Sequence, residues 1–249
     1  MSGYGDAGRV GVIDLSTCTS LTAEFALAVP TEVLVLYARL RLPRGEVTVE
    51  ALDEMFHGPR LEEAAFELSD AGVSAITFAC TSGSLLHGPG FDRRVCDRIT
   101  AATGVHATTT ATSAVRALHA LGLQSVCVGT PYDDEINERE RQFFEAAGIA
   151  VKRIAGLGIR YDRDIGSLSS ADVRELASSV WDDSADGLFL SCTNLPALTL
   201  VGQLEAQLGR PVVTSNSATI WDLLRTGGVT GVATPALGRL GAVAAEAVR

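Results

Sequence analysis

Two short stretches hold the residue types that do chemistry unaided: Cys80-Thr81-Ser82-Gly83 and Cys192-Thr193-Asn194. Each follows directly on an apolar run, 75–79 and 187–191, so each thiol is expected where a buried strand passes into a helix N-terminus. Free N–H groups at such a place favour anions and lower a thiol pKa from its ordinary value of about 8.5, which predicts two reactive sulfurs. A thiolate removes a proton from carbon or adds to a double bond, and a second thiol delivers the proton. Set on opposite faces of one ligand, such a pair inverts a carbon centre, or turns a C=C into a rotatable single bond. Both reactions build negative charge on a neighbouring carboxylate. Fixed N–H and O–H donors in a dry pocket stabilise that charge by about 3 kcal/mol each. Packing is the better account of Cys127, mid-strand, and Cys96, mid-helix, and Cys18 has no similar support for reactivity.

The elements that must position these thiols alternate. Strands are predicted at 9–13, 33–37, 75–79 and 105–107, then at 125–129, 150–154, 187–191 and 211–213. Helices are predicted near 21–29, 49–71, 89–102 and 113–121, then near 134–147, 170–182, 197–208 and 217–225. Four βα units follow four, and the halves agree in detail: 9–13 with 125–129, the Cys80 stretch with the Cys192 stretch, and 108–122 with 214–228. The expected fold is α/β, two pseudo-twofold-related parallel-sheet halves with the active site in the cleft between them. Boundaries are expected at 1–112, 113–228 and a C-terminal segment 229–249, whose helix packs back onto the first half. Ligands of open α/β sheets bind at the carboxyl ends of strands, so Cys80 and Cys192 are expected to meet across one cleft. Ser16 and Thr17, at the end of the first strand, are read as cap or carboxylate contact, and Asn216 as cap or pocket lining. Arg39 or Arg41 is a weaker candidate for a distal carboxylate.

Composition excludes much else. The 249 residues, 47% hydrophobic and 20% charged, suffice for a large α/β core. A net charge of −10 repels phosphate backbones and anionic lipid, so neither nucleic acid nor membrane is expected as a partner. Residues 1–9 have no leader pattern and no long apolar span occurs, which predicts a cytoplasmic protein. Five dispersed cysteines form no disulfide framework. Lys152 is the sole lysine and sits in a predicted strand, which disfavours Schiff-base chemistry. His57, His87, His106 and His119 lack metal-ligand spacing, and the glycines at 83, 88 and 90 match no nucleotide loop, so no metal or cofactor is expected.

From Val10 to Gly228 the chain resembles the cofactor-independent aspartate/glutamate racemase superfamily. The branch is that of maleate cis-trans isomerase, arylmalonate decarboxylase and the racemase-like proteins of ectoine-utilisation clusters. The resemblance is carried by Asp14-Leu-Ser-Thr17, Phe78-Ala-Cys-Thr-Ser82, Gly129-Thr-Pro-Tyr132, Leu190-Ser-Cys-Thr193 and Val213-Thr-Ser-Asn216. It implies that Cys80 and Cys192 work from opposite faces of the substrate, with Cys192 as nucleophile or first base and Cys80 as the opposing acid. It implies that Thr81, Ser82 and Tyr132 hold the substrate carboxylate, and that the Thr193 N–H faces it. Leu15-Ser16-Thr17-Cys18 replaces the asparagine-bearing turn of maleate isomerases, and arylmalonate decarboxylases lack the first cysteine. The implied activity is isomerisation or racemisation of a small mono- or dicarboxylate, in a protein expected to form homo-oligomers. Decarboxylation of a substituted malonate, or non-catalytic carboxylate sensing, are the alternatives.

Overall fold

In the computed structural model, which describes residues 4–243, the most apolar runs form the central strands. The first half comprises β1 (Gly8–Leu15), α1 (Ser20–Ala28), β2 (Val33–Leu40), α2 (Val49–Glu54), α3 (Arg60–Asp70), β3 (Ala75–Ala79), α4 (Thr81–Leu85), α5 (Phe91–Thr103), β4 (His106–Thr109) and α6 (Thr110–Ala120). The second comprises β5 (Ser125–Thr130), α7 (Asp134–Ala146), β6 (Ala150–Gly156), α8 (Asp162–Ile165), α9 (Ser170–Val180), β7 (Gly187–Leu190), α10 (Val201–Leu208), β8 (Val212–Thr214) and α11 (Ser215–Thr226). Two four-stranded, all-parallel sheets result, ordered β2-β1-β3-β4 and β6-β5-β7-β8. The identical order in both sheets is the α/β duplication expected from the repeat. β3, β5 and β7 are buried throughout, as parallel strands covered on both faces must be, whereas β2 and β6 lie at sheet edges and are partly exposed.

Local chemistry moved some boundaries. The helix expected over 49–71 is two helices, because Gly58 takes a left-handed φ of 77° and Pro59 starts the second. α6 and α11 begin two or three residues before their expected starts. Thr109 accepts from the Thr112 N–H, and Thr214 forms a capping box with Ser217. The strand-end threonines are therefore helix caps, and the caps pair Thr109 with Thr214, one residue out of the register expected from matching 108 with 214. Both helices thus start directly at the carboxyl edges of their sheets. Behind those starts Thr219 Oγ1 donates to Thr110 Oγ1 at 3.0 Å, and the buried Asp222 accepts from Thr108 and Ser113 at 2.6 and 3.0 Å. α11 packs on β3 and β4 of the other half as well as on α6.

A 3-10 segment, Pro235–Ala242, lies against α10 and α11; of the expected 229–249 segment, residues 244–249 lie outside the described residues, as do 1–3 of the N-terminal stretch. Among the described residues no helix is long and apolar enough to cross a membrane. Nor does any group of three or more His, Cys, Asp or Glu side chains among them suit a metal ion.

Candidate functional site

β3 and β7 belong to different sheets, yet their carboxyl ends meet. Thr193 Oγ1 donates to Ala79 O at 3.3 Å, Thr81 Oγ1 and Ser215 Oγ share a hydrogen bond of 2.8 Å, and Ser215 Oγ accepts the Cys192 N–H at 2.9 Å. A single hydroxyl at the start of α11 thus joins the two cysteine-bearing loops. Both sulfurs are buried, Cys80 at 3% and Cys192 at 6% exposure, and their neighbours Thr81, Ser82, Tyr132, Thr193, Asn194 and Ser215 are buried polar residues. The setting is closed, and the polar neighbours stand at the edge of the apolar core to which both cysteines also belong. A cavity of about 420 Å³ between α5, α6 and α7 lies apart from both sulfurs.

The two thiols are held differently. Cys80 is the N-cap of α4, and its Sγ accepts the Gly83 N–H at 3.3 Å with Ser82 Oγ at 3.8 Å. Gly83 leaves room there, since a Cβ would stand 2.9 Å from Cys80 Sγ and 3.0 Å from Met55 Cε and would push one of those side chains aside. Cys192 departs from the expectation of a helix N-terminus: an irregular turn follows it, and the next helical residues begin at Leu198. Its φ is +90°, a region costing a residue with a Cβ about 1–2 kcal/mol, and among the described non-glycine residues only Arg44 shares the sign. The turn aims the Asn194 N–H at Cys192 Sγ, 3.4 Å away.

The expected lowering of the thiol pKa values does not occur in this closed site. Burial pushes Cys80 up to about 12 and Cys192 further, against the donors from Gly83, Ser82, Asn194 and the Tyr132 hydroxyl that favour the thiolates. The negative charge of Asp162 adds to the rise at both sulfurs. Desolvation outweighs a few N–H dipoles when no cation stands beside the sulfur.

Tyr132 is wholly buried on the turn between β5 and α7, where its carbonyl accepts the Gly158 N–H at 3.1 Å and Pro131 O accepts the Ile159 N–H at 2.8 Å. Gly156 permits that fold-back, because any Cβ there would collide with Tyr132 O. The remaining expected residues are placed as follows. Thr17 is half-buried and donates through Oγ1 to Asp162 Oδ2 at 2.6 Å. Ser16 is exposed and its Oγ accepts the Leu42 N–H at 3.2 Å, so it neither caps α1 nor turns inward. Asn216 does not cap α11; its Nδ2 donates to Glu24 Oε2 at 2.6 Å and Thr193 O at 2.9 Å, fixing the Cys192 loop from behind. Arg39 is spent on Asp14 at 3.2 Å and on the carbonyls of Leu15 and Cys18 at 2.7 and 2.8 Å.

Segment 42–47 crosses to the second half. The Val47 N–H donates to Arg160 O at 2.7 Å, Glu46 bridges Tyr161, and the Arg160 guanidinium lies 3.2 Å from Glu46. Sequence reasoning passed over Ser215 and Asn194. Ser215 had a legible signal, a hydroxyl directly after the repeated strand-end threonine. Asn194 stood in the Cys192 stretch without a role of its own; its side chain receives the N–H groups of Thr19 and Ser20 and donates to Asp162.

A family model described as arylmalonate decarboxylase matches residues 24–240. The chain belongs to this family. Within the arylmalonate decarboxylase family it is 30% identical over 198 residues to the arylmalonate decarboxylase of Bordetella bronchiseptica, covering 79% of this chain and 82% of that protein. It is equally 30% identical over 206 residues to the maleate isomerase of Nocardia farcinica, covering 80% and 81%. The solved structure of a cysteine-to-serine mutant of Nocardia farcinica maleate cis-trans isomerase, with a covalently bound succinylcysteine intermediate, matches with a TM-score of 0.86 at 25% identity over 94% of this chain and 98% of that one. The family resemblance carried by the motifs therefore holds, and so does the fold that it implied. The relatives are enzymes, isomerases and decarboxylases of one fold.

Proposed function

We propose that this member of the arylmalonate decarboxylase family is a cofactor-independent isomerase or racemase of a small carboxylate, with Cys80 and Cys192 as opposed acid–base groups. One observation carries the reading: equivalent thiols of the two repeats stand in one buried polar site, coupled through the Thr81–Ser215–Cys192 hydrogen bonds. The substrate carboxylate is held by the Thr81 and Ser82 hydroxyls, the Tyr132 hydroxyl and the Thr193 N–H.

Burial favours the thiol form of both cysteines, and loss of one proton makes the pair competent. Asn194 and Tyr132 favour that loss at Cys192. In racemisation the Cys192 thiolate takes the α-proton, the C–H electron pair passes into the carboxylate as an enediolate, and the Cys80 thiol protonates the opposite face. Cys192 ends as thiol and Cys80 as thiolate, ready for the reverse. In cis–trans isomerisation the thiolate adds to C=C and the adjacent carbanion takes the Cys80 proton. After rotation that proton returns to Cys80 and the Cys192 thiolate leaves. The strained φ of Cys192 fits a side chain held for reaction rather than for packing.

The test is α-hydrogen exchange or cis–trans interconversion in deuterated water, followed by proton NMR without added metal. Cys80→Ser and Cys192→Ser are each expected to lower the rate by about 10²–10⁴; undiminished rates in both would remove the mechanism. The likeness to arylmalonate decarboxylase favours a second reading, decarboxylation with one-sided protonation. Carbon dioxide release that survives Cys80→Ser would establish that reading instead.

A further inference from the structure

We propose that the cavity between α5, α6 and α7 is a second ligand site, remote from the cysteine pair, for a small organic anion: a carboxylate whose charge meets Arg93 and Arg116 and whose apolar body lies on Val115 and Phe143. The cavity holds about 420 Å³, a usual size for a small-molecule site. Its walls come from both halves of the molecule, α5 and α6 from the first and α7 from the second. Phe143 is buried, Val115 is half-buried, and Ala146 and Ala147 extend the apolar wall along α7.

Three side chains that can carry positive charge, Arg93, Arg116 and His119, line this space against one acid, Asp92. That balance opposes the chain as a whole, in which 30 acidic residues outnumber 20 lysines and arginines. Asp92 is buried and already accepts from Thr112 Oγ1 at 2.8 Å. Of the three arginines of α5, two are engaged: Arg94 lies over the Phe91 ring at 5.1 Å, and Arg98 pairs with Glu62 at 2.7 Å. Arg93 is exposed and has no hydrogen-bond or ion-pair partner among the described residues. Its Nη2 sits beside Gly90 at the cavity wall, 3.6 Å from where a Cβ would stand. Arg116 is engaged on one side only. Its Nη1 donates to both oxygens of the buried Asp222 at 3.2 and 3.0 Å, while Nη2 and Nε meet no acceptor among the described residues. The guanidinium fork suits a carboxylate, and partial enclosure strengthens the attraction for an anion and the penalty for a cation. A bare inorganic anion would leave Val115 and Phe143 wet, whereas a ring or short chain covers them.

Benzoate, benzamide and benzamidinium share one shape while their charge runs from negative through neutral to positive. Binding of each to the full chain is read by ligand-observed proton NMR titration, and inorganic phosphate, an anion without an apolar body, is read by its displacement of benzoate. Wild type is expected to bind benzoate about tenfold more tightly than benzamide, with benzamidinium weaker still. Arg93→Gln should weaken benzoate about tenfold and leave benzamide unchanged. Ala146→Trp fills the cavity from an exposed helix position and should remove the Arg93-dependent binding. Urea midpoints like that of wild type show that each variant is folded. Benzoate is itself a small carboxylate and a candidate for the cysteine site, and the variants separate the two: an affinity unchanged in both places benzoate elsewhere and overturns the proposal. No detectable binding of benzoate, or benzamidinium binding as tightly, overturns it on wild type alone. Phosphate that displaces benzoate at equal concentration overturns the assigned class, because the apolar body would then contribute nothing.

Discussion

Glu140 lies wholly buried in α7 against the strand that leads to Cys192, and replacing it by glutamine isolates the cost of that burial. Its Oε2 accepts from Ser191 Oγ at 3.0 Å, while its Oε1 has no hydrogen-bond partner among the described residues. Burial raises its pKa from 4.5 to about 8, against the pull of the Ser191 hydroxyl. Below the unfolded value both states are protonated and its contribution to stability is complete. Between the two values the unfolded chain has lost the proton and the folded one retains it, so stability falls as pH rises. One proton of difference fixes the slope at about 1.4 kcal/mol per pH unit, whatever the full extent of the shift. Above the folded value the loss levels off. Glu140→Gln keeps an acceptor for Ser191 and cannot ionise, so its stability relative to wild type should rise by about 3 kcal/mol from pH 5 to pH 7.5. Asp14 and Glu24, both raised by burial to about 7, titrate in the same window but in both proteins, and cancel in the difference. Urea unfolding at four pH values in that interval reads the slope directly. A difference that stays constant with pH would mean that Glu140 is ionised in the folded protein, and the reasoning would be refuted.

Two other changes probe the geometry around the sulfurs. Cys192→Gly and Cys192→Ala both remove the buried sulfur and should abolish exchange, but only glycine relieves the positive φ, so the glycine variant should be the more stable of the two by about 1 kcal/mol in urea melts; an alanine variant that is equally or more stable would show that the backbone there is not strained. Gly83→Ala puts a methyl 2.9 Å from Cys80 Sγ and 3.0 Å from Met55 Cε, which should cost about 1–3 kcal/mol and slow turnover with little change in the affinity for substrate. Unaltered stability and rate would show that the α4 N-terminus yields freely and does not fix the sulfur.

Much of this protein is legible from local signals. The strand over 75–79 has the expected bounds, and 125–129 and 150–154 each need only one or two more residues, because an apolar β-branched run between glycine-rich turns has few other conformations. The repeat placed both cysteines at strand ends, and the same strand order in both sheets places those ends alike. Where the reading of 49–71 as one helix failed, Gly58-Pro59 had printed the break. The late starts given to α6 and α11 came from treating Thr109 and Thr214 as strand rather than cap.

The sequence by itself determined the order of elements, the duplication and the two thiols, since periodicity, capping and turn chemistry act over a few neighbouring residues. Only the tertiary structure decided the charge state of those thiols, the bridging position of Ser215 and the nearness of Asp162. Desolvation and Coulomb interaction sum over every element packed around a group, and the residues responsible are separated by anything from two to well over a hundred positions in the chain.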